Sequence, residues 1–126
     1  MAAEIKNTEW FSKSDPFLKF YRPSLKYANA TNYATIPEDE WIVTHETTAI
    51  DGNLNPDWPP FTVSGSKLCY NDYNYPIKVE IWDFSKSGKH TKISFAYFTI
   101  SMIEEKNIKE FKTYTDSKKF AGTLVL

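Results

Sequence analysis

The chain has 126 residues, enough for one domain with its own hydrophobic core. At 41% hydrophobic and 17% aromatic residues it is too apolar for a disordered segment. Its 15 Lys and Arg against 16 Asp and Glu leave a formal charge of -1, which gives no basis for a nucleic-acid binder, since phosphate backbones recruit strongly cationic surfaces.

The single cysteine, Cys69, rules out an intrachain disulfide and fits a reducing compartment. The first residues, MAAEIKNTEW, lack the apolar core of a signal peptide, and no run of about 18 apolar residues occurs. Membrane contact, if there is any, is therefore expected to be peripheral.

In chain order, short apolar runs alternate with turn chemistry, the all-β pattern. Phe17 to Tyr21 reads as the first good strand, followed by a variable polar insert from Ser24 to Asp39. Trp41 to Ile50 reads as a long strand rich in β-branched residues. Asn53-Leu54-Asn55-Pro56 is turn punctuation, because Asn tolerates turn geometry and Pro56 biases Asn55 away from helix. Phe61 to Ser64 reads as a strand and Cys69 to Tyr75 as a polar loop. Ile77, Val79 and Ile81 then alternate with polar or amphipathic neighbours, the clearest half-buried strand in the chain. Ser85 to Lys89 is expected to be a loop, Ile93 to Ile100 a strand, Met102 to Phe111 a short helix and Thr123 to Leu126 a closing strand. About seven or eight strands with at most one short helix predict an antiparallel β-sandwich.

Several motifs carry a family resemblance. Lys13-Ser14-Asp15-Pro16-Phe17-Leu18, Asn53-Leu54-Asn55-Pro56 with Trp58, and Ile81-Trp82-Asp83-Phe84 stand in the order and rough spacing of a C2 domain. Pro60-Phe61-Thr62-Val63, Lys67-Leu68-Cys69, Pro76-Ile77-Lys78-Val79, Ser87-Gly88-Lys89-His90 and Ala121-Gly122-Thr123-Leu124 resemble the second C2 domain of copines. The resemblance covers nearly the whole chain and implies one domain over 1-126 with a C2-type Greek key. It places the first strand before Ile5, where only Met1 to Glu4 remain, so a truncated first strand is expected. Copines also carry a second C2 domain and a von Willebrand factor A-like domain, so the chain is expected to be one part of a larger protein.

The resemblance further implies calcium held between acidic side chains of two apical loops. Of its five acidic positions, Glu9, Asp15 and Asp83 retain a carboxylate here, while Ser85 and Thr91 occupy the other two. Calcium takes six to eight oxygen ligands. A unit charge at about 4 Å is worth roughly 4 kcal/mol at an effective dielectric near 20, so two lost carboxylates predict weak calcium binding or none. Asp15 ahead of Pro16 also reads as a turn organiser, and Asp83 as the cap of its strand.

In place of calcium, Lys86, Lys89 and Lys92, with His90 among them, are expected to face an anionic phospholipid surface. They would contribute about 1 kcal/mol per lysine. Lys6 and Lys13 from the first loop would join them, and Trp10 and Phe11 would enter the interfacial zone. That places the chain in the cytoplasm, peripheral on the cytosolic face of membranes. The competing reading for the three lysines is a solvated loop, and for Trp10 and Phe11, packing under the loops. Trp58 and Trp82 are expected in the core or at its rim.

No catalytic constellation is found: Cys69, His45 and His90 share no local motif, and there is no P-loop, dinucleotide fingerprint or GxSxG elbow. The chain is expected not to be an enzyme. Two rival readings are a protein-interaction module that uses a sandwich face or an open edge, and a glycan binder with a planar row of exposed aromatics.

Overall fold

The computed structural model of the protein describes residues 3-6, 15-50, 57-58 and 61-126. Eight strands form it: β1 (Ala3–Lys6), β2 (Pro16–Pro23), β3 (Trp41–Glu46), β4 (Asp57–Trp58), β5 (Ile77–Asp83), β6 (Thr91–Phe98), β7 (Glu110–Tyr114) and β8 (Phe120–Val125). Two short helices, α1 (Gly65–Cys69) and α2 (Ile100–Glu104), complete the described elements. The strand order is β3-β2-β5-β6-β7-β8-β1-β4, with every ladder antiparallel. One residue pair, Phe95 with Tyr114, joins β6 to β7. At this thin seam the ladder folds over, so that β3-β2-β5-β6 packs face to face on β7-β8-β1-β4. The all-β sandwich expected from the alternating runs is the fold observed.

The core follows from the period of two. On β5, Ile77, Val79 and Ile81 point inward and meet Leu18 and Phe20 of β2 and Ala96 and Phe98 of β6. From the other half, Phe111, Leu124 and the buried Trp58 close on them, with the Phe98 and Phe111 ring centroids 5.4 Å apart. Three bulges shape the ladders of the described strands, and two of them carry a buried threonine. Thr44 is the extra residue of β3 opposite Phe20 and Tyr21, and its hydroxyl donates to the Phe20 carbonyl at 3.2 Å. Opposite Thr113 the β8 strand bulges through Ala121 and Gly122, and the Thr113 hydroxyl lies 3.0 and 2.9 Å from their carbonyls. Gly122 adopts a φ of 99°, which a side chain would strain.

Several boundaries differ from the sequence reading. Strand β3 ends at Glu46, although the Thr47 and Ile50 N–H groups still donate to the Leu18 and Pro16 carbonyls. Phe61 to Ser64 is not a strand; its leading ring stacks on His45 at 4.9 Å and meets Phe20 at 5.8 Å. The expected loop from Cys69 starts inside α1, which buries Leu68 and Cys69 and stops at Tyr70 with a φ of 54°. The expected helix from Met102 to Phe111 is split. Thr99 caps α2 by accepting the Met102 N–H, Asn107 turns the chain with a φ of 54°, and Glu110 onward is β7. The insert from Ser24 folds into three short 3-10 turns, Leu25–Tyr27, Tyr33–Thr35 and Glu38–Glu40, anchored by the Ser24 N–H on the Glu40 carbonyl. Strand β1, which takes in Lys6, pairs with β8 on one side and β4 on the other, so it is not an edge.

Phe20 is 0% exposed and Phe120 is 52% exposed, which gives a matched test of where the core lies. Phe20→Ala should lose about 3–5 kcal/mol of stability, and Phe120→Ala within about 0.5 kcal/mol of none, as read by urea unfolding.

Candidate functional site

The β2–β5 register sets Pro16 opposite Asp83 and so brings the loops before β2 and after β5 to one end of the sandwich. There the Asp15 N–H donates to the Asp83 Oδ1 at 3.0 Å, and the Phe84 N–H donates to the Asp15 carbonyl at 3.0 Å. This reciprocal latch joins the two loops and uses one Asp83 oxygen as an acceptor. Both structural roles expected for these acids, organising a turn and capping a strand, are compatible with it.

The loop after β5 is hydrogen-bonded to itself. The Ser85 N–H donates to His90 Nδ1 at 2.9 Å, so that nitrogen is bare and the neutral ring carries its proton on Nε2. The Ser85 and Ser87 hydroxyls lie 2.8 Å apart, and Gly88, at a φ of 86°, donates to the Ser85 carbonyl. His90 stacks on Phe84 at 4.9 Å, and Phe17 stands edge-on to His90 at 5.2 Å. Phe84, 42% exposed, and the exposed Lys86 and Lys89 form the outer surface of this tip.

Lys92 takes a different place from the one expected. It belongs to β6, and a bulge between the Ile81–Ser94 and Trp82–Lys92 pairs turns it onto the outer face of the sheet. Its ammonium lies 3.0 Å from Asp116 and 3.6 Å from Glu80, so it is ion-paired within the fold. Glu9, Trp10, Phe11 and Lys13 lie outside the described residues. Among the described residues, no three His, Cys, Asp or Glu side chains gather as a metal would require. Among the described residues, Asp15 and Asp83 are carboxylates that the register brings to this tip.

The outer face of β2, β5 and β6 holds a network that the sequence reading missed. Lys78 and Glu80, on the outward side of β5, are only 1% and 3% exposed. Their charged groups are 3.2 Å apart, and the Glu38 carboxylate reaches Lys78 from the insert at 3.3 Å. The Lys78 ammonium lies over the Tyr21 and Trp41 rings at 4.9 and 4.8 Å, while Trp82 Nε1 donates to Glu80 at 3.1 Å. Burial works to raise the Glu80 carboxyl, but the Tyr21 hydroxyl, Lys78 and Lys92 outweigh it and hold it below its ordinary 4.5. Burial and the bond to Glu80 push the Tyr21 phenol far up. The alternation of β5 marked Lys78 and Glu80 as outward; what hid them was the cover of aromatics and insert, which no local pattern announces.

The same face does not offer a flat aromatic row for a sugar. Trp41 is 7% exposed, and Tyr97 meets Tyr33 and Phe95 at 69° and 67°, so these rings interlock over the buried charges. Away from both surfaces, the Cys69 thiol donates to the Gly65 carbonyl at 3.4 Å, and burial pushes it up, away from the thiolate a nucleophile needs. His45, stacked on Phe61, is pushed down by burial and by Lys67.

Fold and tip together define a class: an antiparallel β-sandwich that presents a loop-built surface at one end. The sequence model of the C2 domain matches residues 1–115, and the chain belongs to the C2 domain family. Among solved structures it is similar to BON1-C2B, at 22% identity and a TM-score of 0.63 over 98% of this chain and 86% of that one. It is also similar to the C2A domain of plant Extended Synaptotagmin 1, at 18% identity and a TM-score of 0.51 over 98% and 88%. A third, a structure of a C2 domain, gives 13% identity and a TM-score of 0.51 over 98% and 90%. Identities this low speak to the fold. As a family, C2 domains are binding modules for membranes or proteins, typically without catalytic activity.

The depressed Glu80 carboxyl sets an acid dependence. Its contribution is present above about pH 4.5 and is lost as pH falls through the lower folded value. Glu80→Gln should cost about 2 kcal/mol at neutral pH, because it leaves the buried Lys78 with the exposed Glu38 as its carboxylate partner, and should flatten the loss of stability below pH 4.5. Urea unfolding of both proteins between neutral and acid pH reads both effects.

Proposed function

We propose that this chain is a copine-type C2 domain that binds anionic phospholipid surfaces peripherally, on the cytosolic face of a membrane, with little or no dependence on calcium. The observation that carries this reading is the composition of the tip. Asp83 is latched to Asp15, the positions that resemble two further calcium ligands are Ser85 and Thr91, and Lys86 and Lys89 stand exposed beside Phe84. A loop that brings its own cations can meet anionic headgroups directly. With Lys92 paired to Asp116, the described part of this loop offers two lysines and His90, so about 2 kcal/mol of attraction at about 1 kcal/mol per lysine. That is weak alone and useful beside a tethered second domain.

A second reading, a protein-interaction module, is favoured by one observation. Strand β3 ends the sheet, and Ile42 and Val43 on it are 45% and 47% exposed, which suits pairing with a partner strand.

Sedimentation with phosphatidylserine vesicles separates the two. Binding should survive a calcium chelator, fall steeply with added salt and drop to background in Lys86→Glu/Lys89→Glu. A double variant that binds as well as the unmodified chain, or binding that appears only with calcium, would refute the membrane reading.

A further inference from the structure

Beside the tip, where the outer sheet face meets the loop after β5, lies a cavity of about 420 Å³, within the size range of small-ligand sites. Phe17, Phe84 and His90 supply its aromatic walls, Lys19 and Glu46 its charges, and Thr48 a hydroxyl. The rings stand at different angles: Phe84 is stacked on His90 at 26°, and Phe17 is edge-on to both at 76° and 79°. Lys19 and Glu46 face each other at 3.6 Å, a long pair with both side chains partly open to solvent.

Charge complementarity selects the occupant. An anion alone would take Lys19 from Glu46, and a cation alone would take Glu46 from Lys19. A ligand carrying both charges replaces the pair with two pairs. The aromatic faces favour a diffuse quaternary ammonium, which has no N–H to satisfy. We infer that this cavity takes the phosphocholine headgroup of a bilayer lipid. Its trimethylammonium lies against the Phe17, Phe84 and His90 rings and Glu46, and its phosphate against Lys19. A phosphoserine headgroup would add a carboxylate beside its ammonium, close to Glu46, and is disfavoured. The inference extends the membrane reading above: the loop lysines supply attraction to the anionic surface, and the cavity grips a neutral neighbour lipid.

Soluble glycerophosphocholine tests it without a membrane, by amide chemical-shift titration of the intact chain. Saturable shifts are expected at Phe84, His90 and the segment from Glu46 to Ala49. Affinity should fall about tenfold in Glu46→Gln and in Phe84→Ala, while resonances elsewhere stay in place as evidence of an intact fold. Lys86→Glu/Lys89→Glu should leave this titration unchanged, so that a failure of the lysine reading and a failure of the cavity are told apart. Equal binding of glycerophosphate, tighter binding of glycerophosphoserine, no saturable shift, or unaltered affinity in both cavity variants would overturn the assignment.

Discussion

The antiparallel pairing of β2 with β5, closed at its end by the Asp15 N–H on the Asp83 carboxylate, is the constraint on which the rest of the molecule depends. This ladder supplies the inward Leu18, Phe20, Val79 and Ile81 that the opposite half packs against. Its register also decides which loops meet. Moving it by one residue would turn every core side chain outward and separate the two acids at the tip. Core and candidate site therefore rest on one set of hydrogen bonds.

Charge is distributed by the same geometry. The outer face carries Lys19, Lys78 and Lys92, and each has a carboxylate partner within the fold: Glu46, Glu38 with Glu80, and Asp116 with Glu80. Of these, the buried Lys78–Glu80 pair is strongly destabilising when one partner is removed, whereas Lys19 and Glu46 are open enough to exchange each other for a ligand. The deepest of these cations, Lys78, lies under the insert and its aromatic cover. Among the described residues, the loop after β5 exposes Lys86 and Lys89 at this tip.

Much of this was legible in the residues, and the failures have physical causes. Ile77, Val79 and Ile81 announced their strand because its inward face is apolar, its outward face polar and the period of two strict, although both faces are buried. Asp15 and Asp83 were placed at one tip by their motifs, and the β2–β5 register brings them together. Lys92 was read as a loop residue because a bulge, which turns a side chain to the other face, leaves no mark in the alternation. Lys78 and Glu80 looked solvated because their cover comes from Glu38 and Trp41, about forty residues away in sequence. The expected helix from Met102 to Phe111 runs on into Glu110 and Phe111 of β7 because the mixed charges of Glu104, Glu105, Lys106 and Lys109 suit a solvated helix face, whereas the inward residues of β7 are only Phe111 and Thr113. Glu9, Trp10, Phe11 and Lys13, named for the same tip, lie outside the described residues.

The central claim is that this tip is too poor in carboxylate oxygen to hold calcium, and that its contact with a surface rests on its own cations and rings. Calorimetric titration of calcium into the unmodified chain and into Ser85→Asp/Thr91→Asp tests it most directly. The account predicts no saturable heat for the former and a new binding isotherm for the latter. Tight, saturable calcium binding by the unmodified chain would contradict it.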